Sequence, residues 1–376
     1  SLDRYAACRC DDILLPCYLP IIYTIKRNRS NCLNERNAPY MALEQSIKDR
    51  LNLPVVCAPM FLVSNPAMVR EACLSGIMGA LPRQNARSFE LFESWLAEIR
   101  EALDVHQAQN PSARIGPLAV NMATQMDADD AARHLEVAKR YGVDIIISAV
   151  GNPAELTQRV HDAGLKIFHD VTSIRFAEKA IAAGVDGLTC IGSGGGGHSG
   201  NIGHLVLIPR IRKIFDGTVL MAGSISTGAA IRAAEILGAD LAYMGTRFIA
   251  TQEAGVDPEY ARMLTECHSE DLMFTPKIAG VAANWLVPSM ERLGLDPKNL
   301  PQPAGHGMGS KHLPEGVKPW KNLWSAGQGI DLIDDTPTMS DLVARLRREY
   351  VAACDTPSYA DVARLVDQAL DAKSVD

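Results

Sequence analysis

From residue 50 onward the chain repeats one pattern. A short run rich in apolar, often β-branched residues is followed by a Gly or Pro turn and then by a stretch with apolar and charged residues at helical spacing. The runs cover 55–60, 77–81, 115–121, 144–150, 165–171, 187–192, 219–225 and 241–248. Helical stretches at 131–141, 153–163, 174–183 and 227–237 lie between them, and Ala163-Gly164, Ala183-Gly184 and Leu237-Gly238 read as helix stops that lead into strands. Runs this continuously apolar are buried on both faces, as in a parallel sheet. Eight strand–helix units predict an α/β fold closed into a (β/α)8 TIM barrel, with an elaboration after strand eight and C-terminal helices.

The expected organisation is an N-terminal extension outside the fold (1–40), a barrel (41–266), an elaboration over the barrel mouth (267–330) and C-terminal helices (331–376). The helices are expected at about 339–352 and 358–372, with Thr338 or Ser340 and Ser358 as N-caps. The first forty residues break the repeat. They hold four of the nine cysteines (Cys8, Cys10, Cys17 and Cys32) and the basic cluster Lys26-Arg27-Asn28-Arg29. The apolar segment 13–25 is interrupted by Pro16 and Pro20, too short and broken to span a bilayer. The paired spacing of a zinc site is absent, so no metal is expected.

Composition changes this picture little. With 376 residues and 47% hydrophobic content the chain can bury a large core. A net charge of −7 gives no electrostatic footprint for nucleic acid or an acidic membrane. An odd number of cysteines, several inside apolar runs, reads as reduced, cytoplasmic usage.

The chemistry concentrates in Gly192-Ser193-Gly194-Gly195-Gly196-Gly197-His198-Ser199-Gly200, directly after the sixth run. Four consecutive glycines are costly in a helix or strand, and a ligand approached closely by backbone offsets that cost. A glycine loop alone also serves as a hinge, and a lone histidine is often structural. A barrel, however, places active groups at the C-terminal ends of its strands and phosphate after strands seven and eight. The runs end in Ala58-Pro59-Met60, Val120-Asn121, His169-Asp170, the glycine loop, Ala222-Gly223-Ser224 and Met244-Gly245-Thr246, which meets that demand. Cys190, inside the sixth run, reads as a core residue, and His161, His169 and His204 as helix-surface, strand-end and helix-start residues. Asp334-Asp335 reads as a solvated turn, and Trp285 and Trp324 as packing residues that could also wall a pocket.

Together with Gly196-Gly197-His198-Ser199-Gly200, Ala222-Gly223-Ser224-Ile225, Met244-Gly245-Thr246-Arg247-Phe248 and Leu323-Trp324-Ser325-Ala326-Gly327-Gln328-Gly329, these strand ends resemble the nitronate monooxygenase (2-nitropropane dioxygenase) family of FMN-dependent barrels. The resemblance runs from about Leu53 to Tyr350. It implies that His198 is the reactive histidine, as a neutral base toward a nitroalkane or as an imidazolium facing nitro oxygens. It also implies an FMN phosphate against Gly223, Ser224, Gly245 and Thr246, with Gly196, Gly197 and Asn121 contacting the cofactor. Pro59 and Met60 would lie under the isoalloxazine, and Ala326-Gly327-Gln328 would close one side. The chain departs from the family in carrying Ile191 and Gly194 where Gln and Glu are common, and Asp170 where some relatives have Lys. The implied activity is oxidation of an alkyl nitronate, a small-molecule substrate, by dioxygen to a carbonyl compound and nitrite. Relatives with the same FMN site include NAD(P)H-dependent enoyl-acyl-carrier-protein and quinone reductases, and a non-catalytic phosphate-ligand barrel is the third reading.

Overall fold

A computed structural model describes residues 42–303 and 309–373. The expectations for residues 1–40, the cysteine group included, lie outside the described residues. Eight parallel strands close into a barrel: β1 (Val55–Cys57), β2 (Met78–Pro82), β3 (Leu118–Ala123), β4 (Ile145–Ala149), β5 (Lys166–Val171), β6 (Gly187–Ile191), β8 (Thr218–Ala222) and β9 (Leu241–Met244). Closure comes from β9 pairing with β1, with Val55 opposite Ala242 and Cys57 opposite Met244. The (β/α)8 expectation holds. β7 (Gly197–His198) is outside the barrel and joins β10 (Leu272–Thr275) and β11 (Ala283–Leu286) in a small antiparallel sheet.

The two-residue alternation of a strand divides the core. Val56, Met78, Ala80, Ala119, Ile145, Ile147, Phe168, Leu220 and Leu241 fill the barrel interior. Val55, Leu81, Ile146, Ile167, Leu188 and Val219 face outward and pack under the helices. The interior is tight: a Cβ on Gly187 would meet the Phe168 ring at 2.4 Å. Each such apolar side chain, fully buried, contributes about 1.5–3 kcal/mol. Cys190 is fully buried on the outward face, as a core residue should be, and burial pushes its thiol up to about 12.

Local signals set the helix ends. Asn65, Ser88, Asp127, Ser173, Thr227 and Thr338 each accept a backbone N–H of the helix they precede. Gly238 stops Gly228–Leu237 at φ 109°, a left-handed conformation that glycine adopts without penalty. Several runs end earlier than the apolar pattern suggests. β8 stops at Ala222 and β9 at Met244, after which Thr246–Ile249 forms one helical turn. Residues 272–330 carry a satellite core in which Ile278, Trp285, Met290, Leu295 and Leu323 pack together.

Asp334 is exposed in the turn before the helix, as expected, but Asp335 does more than face solvent. Asp335 accepts from Arg247 at 2.7 Å and also from Arg345. Arg247 is only 2% exposed, and a buried guanidinium requires a carboxylate partner. The pair ties the end of β9 to the C-terminal helix Met339–Cys354.

Candidate active site

The C-terminal ends of the barrel strands open on one cavity of about 1340 Å³. That exceeds the roughly 300–1,000 Å³ common for small-ligand sites. Of the residues singled out from sequence, Pro59, Met60, Asn121, Gly196, Gly197, His198, Gly223, Ser224, Gly245 and Thr246 all line it. Gln328 does not. Its side chain is exposed, and its backbone N–H instead donates to Gly194 O at 2.9 Å, while Gly327 and Gly329 contribute to the wall.

The glycine loop is a braced structure rather than a hinge. Gly195 O accepts from Asn284 Nδ2 at 2.7 Å, Gly192 O from Ser199 Oγ at 2.9 Å, and Ser193 N–H donates to Ile202 O at 2.8 Å. A Cβ on Gly196 would meet Gly327 N at 2.9 Å and Thr246 Oγ1 at 3.0 Å. The small residue is required because two backbone segments and a hydroxyl converge there. Thr246 Oγ1 accepts from Gly327 N–H at 2.9 Å, which closes the ring of contacts between the loop, β9 and the elaboration.

Backbone conformation marks the same place. Four non-glycine residues among those described have positive φ, and Val150, Ser224 and Trp320 among them line the cavity. Left-handed backbone is costly for such residues, most of all for β-branched Val150, and strain of this kind clusters at ligand sites. Gly223 and Ser224 adopt it consecutively, at φ 112° and 58°, where β8 ends.

His198 lies on β7, where Ala283 is its partner across the ladder. Its ring meets Trp320 edge-on, with centroids 5.2 Å apart. Nε2 is buried and finds no hydrogen-bond partner among the described residues. Burial holds the imidazole below its ordinary titration range, so its resting form at neutral pH is the free base. His169 is a second imidazole on the cavity, but its Nδ1 lies 2.8 Å from Ser148 Oγ, and burial pulls it down to about 4. Asn121 is tied down at both ends of its amide: Oδ1 accepts from Gln84 at 2.9 Å and Nδ2 donates to Ile147 O at 3.2 Å.

His204 Nε2 donates to Ala222 O at 2.8 Å, so its ring braces β8. His161 pairs with Asp186 at 2.9 Å, on the helix surface as expected. Trp285 and Trp324 are buried, the latter stacked on Tyr260 at 5.0 Å, and neither reaches the cavity. The tryptophan that does is Trp320, which no sequence signal set apart from its neighbours.

The residues present fit a flavin nucleotide. Strand-end glycines admit close backbone approach, a left-handed turn lies where a phosphate is expected, and a buried nitrogen is left without a protein partner. Among the described residues no group of three or more His, Cys, Asp or Glu could hold a metal, and no helix is long and apolar enough to cross a membrane.

A family profile described as nitronate monooxygenase matches residues 94–349. The nitronate monooxygenase of Paraburkholderia phytofirmans is 27% identical over 350 residues, covering 80% of this chain and 92% of that protein. The (3aS,4S,5R,7aS)-5-hydroxy-7a-methyl-1-oxo-octahydro-1H-indene-4-carboxyl-CoA dehydrogenase of Rhodococcus jostii is 28% identical over 245 residues, 64% of this chain and 65% of that one. Among solved structures, nitroalkane oxidase from Streptomyces ansochromogenes superposes with a TM-score of 0.65 at 23% identity, covering 82% and 99% of the two chains. FabK from Thermotoga maritima gives 0.62 at 20%, covering 83% and 98%. At these identities the two structures establish the shared fold.

Proposed function

Because the chain belongs to the nitronate monooxygenase family of flavin-dependent oxidoreductases, we propose that it holds FMN in the barrel-mouth cavity and oxidises an alkyl nitronate with dioxygen to a carbonyl compound and nitrite. The observation that carries this reading is His198: a neutral imidazole with a buried, unpartnered Nε2, in the same cavity as the glycine cradle. Gly223, Ser224, Gly245 and Thr246 would receive the phosphate through backbone and hydroxyl groups. Gly196, Gly197, Pro59, Met60 and Asn121 would bound the ring. When bound, flavin supplies the electron-transfer chemistry.

The protein's own work is positional and protonic. His198 Nε2, without a partner among the described residues, accepts the α-proton of a neutral nitroalkane and so generates the nitronate within the site. The depressed titration of His198 keeps the base form populated at neutral pH. Trp320 holds the ring edge-on, which fixes the direction of its lone pair.

Anaerobic mixing of the purified, flavin-loaded protein with a nitronate is the direct test. Flavin bleaching by nitronate supports the proposal. Bleaching by NADPH with no response to nitronate would replace it with a nicotinamide-dependent reductase, and no response to either would leave a phosphate-ligand barrel.

A further inference from the structure

One buried group on the cavity has no part in that account. Asp170 stands on β5, two residues after Phe168, and strand alternation turns it with Phe168 into the barrel interior. It also lines the cavity. Its Oδ1 is buried and finds no hydrogen-bond partner among the described residues, and the same is true of Oγ1 of Thr189, the residue directly opposite it on β6. The Thr189 hydroxyl is near enough to draw the carboxyl down a little but not to make a full hydrogen bond, so Oδ1 stays open on the site. A buried carboxylate oxygen without a full donor is expensive, whereas the neutral acid needs only an acceptor.

Barrel order says what could supply it. The proposed phosphate cradle lies at the ends of β8 and β9; β3 and β4 stand across the ring from them, and β5 stands between, separated from β8 by β6. A flavin anchored by its phosphate at β8 and β9 and extended over the mouth would pass the end of β5, where Asp170 lines the cavity, with Asn121 beyond it on β3. We propose that Asp170, as the neutral acid, is the hydrogen-bond donor that receives an acceptor atom of the bound flavin ring. This rests on the cofactor reading above and adds a pH-sensitive contact to it.

The electrostatic setting agrees. Burial pushes the carboxyl up to about 7, against a smaller pull the other way from the Thr189 hydroxyl. The titratable groups around it supply no compensating positive charge. Tyr243 on β9 is itself driven upward by burial and by Asp170, Cys190 on β6 faces outward with its thiol pushed up to about 12, and His169 and His198 are both held toward their neutral forms. Lys179 lines the cavity but is exposed to solvent. Above neutral pH the donor is lost and a negative charge faces an acceptor edge, so flavin binding weakens as pH rises.

The test measures binding rather than turnover. Apo-protein is titrated with FMN and with riboflavin, followed by quenching of flavin fluorescence, one pH unit below and one above the midpoint. Riboflavin has no phosphate, so the phosphate's own titration does not enter. If only the acid form binds, wild-type affinity for riboflavin falls about tenfold across that interval, because the competent fraction falls by that factor. Asp170→Asn, a donor at every pH, flattens the step to less than about twofold. An equal step in both proteins overturns the assignment of Asp170 while leaving flavin binding intact. Failure of wild-type apo-protein to bind FMN at either pH overturns the cofactor reading and this assignment together. A measurement independent of the variant's folding is the infrared difference spectrum of the wild type on riboflavin binding. A shifted carboxylic-acid carbonyl band supports the contact, and an unshifted acid region refutes it.

Discussion

Two histidines line the same cavity from different walls, and their settings differ in one respect that decides their use. His169 belongs to the barrel wall, where its Nδ1 is engaged by Ser148. His198 belongs to the small sheet added after the barrel, where backbone pairing and the edge of Trp320 hold the ring while Nε2 stays open. Both are desolvated and both are neutral near pH 7. Desolvation alone therefore does not make a catalytic base; the free lone pair does, and here it is obtained by fixing the ring through contacts that do not consume its nitrogens.

Breaking each side of this contrast should have unequal consequences. His198→Asn is expected to retain the fold and the flavin and to lose turnover on neutral nitroalkane by roughly 10²- to 10⁴-fold. Preformed nitronate, already deprotonated, should be affected far less. Equal losses on both substrates would point to charge stabilisation, and unchanged rates would make the ring structural. His169→Asn should change turnover less than about tenfold and lower stability by about 1 kcal/mol, since Ser148 Oγ loses the imidazole but keeps the Phe168 carbonyl at 3.4 Å. Parity between the two variants would erase the distinction.

Gly196→Ala tests the cradle beside His198. Its methyl would meet Gly327 N at 2.9 Å, so one of the two backbone segments must move. Purified variant should carry clearly less flavin per chain than wild type; full flavin occupancy would count against the cradle. A finer probe is Trp320→Ala. Water admitted to His198 should raise its titration back toward the ordinary histidine value, shifting the rising limb of the rate profile for nitroalkane to higher pH. An unshifted limb would mean that Trp320 does not set the desolvation of the base.

The smallest expected effect is on the stability of the apo-protein. Folding raises the Asp170 titration to about 7, so the native state holds a proton that the unfolded chain releases at ordinary aspartate pH. The resulting penalty is absent in acid, grows from about pH 4 to about pH 7 and is constant above. Asp170→Asn should therefore melt close to wild type near pH 4 and a few degrees higher at pH 8.

The barrel was legible because its elements obey a local rule. Apolar runs, glycine stops and polar caps each signal their own boundaries, and the strand-end positions of Asn121, Gly223 and Gly245 follow once the repeat is counted. Strand ends were overextended where apolar residues continue past the ladder, as in Met244-Gly245-Thr246-Arg247-Phe248, because composition does not record where pairing stops. What stayed hidden depends on distant partners. The pairing of His198 with Ala283, the edge contact of Trp320, and the bond between Arg247 and Asp335 each join segments far apart in the chain. The setting of Gln328 depends on such a distant partner too: its backbone N–H donates to Gly194 O, and its side-chain amide lies against Gly194.

The ladder between β7 and β11 also bears on how the protein matures during synthesis. A nascent chain that has emerged through β9 holds every strand needed to close the barrel onto β1, yet the segment bearing His198 still lacks its partner. Ala283 and Asn284 arrive later and fix the loop, and Asp335, which neutralises the buried Arg247, arrives later still. The scaffold is thus available before the imidazole is positioned, and a ribosome stalled in between would hold a barrel whose glycine loop lacks Asn284 and the β11 ladder.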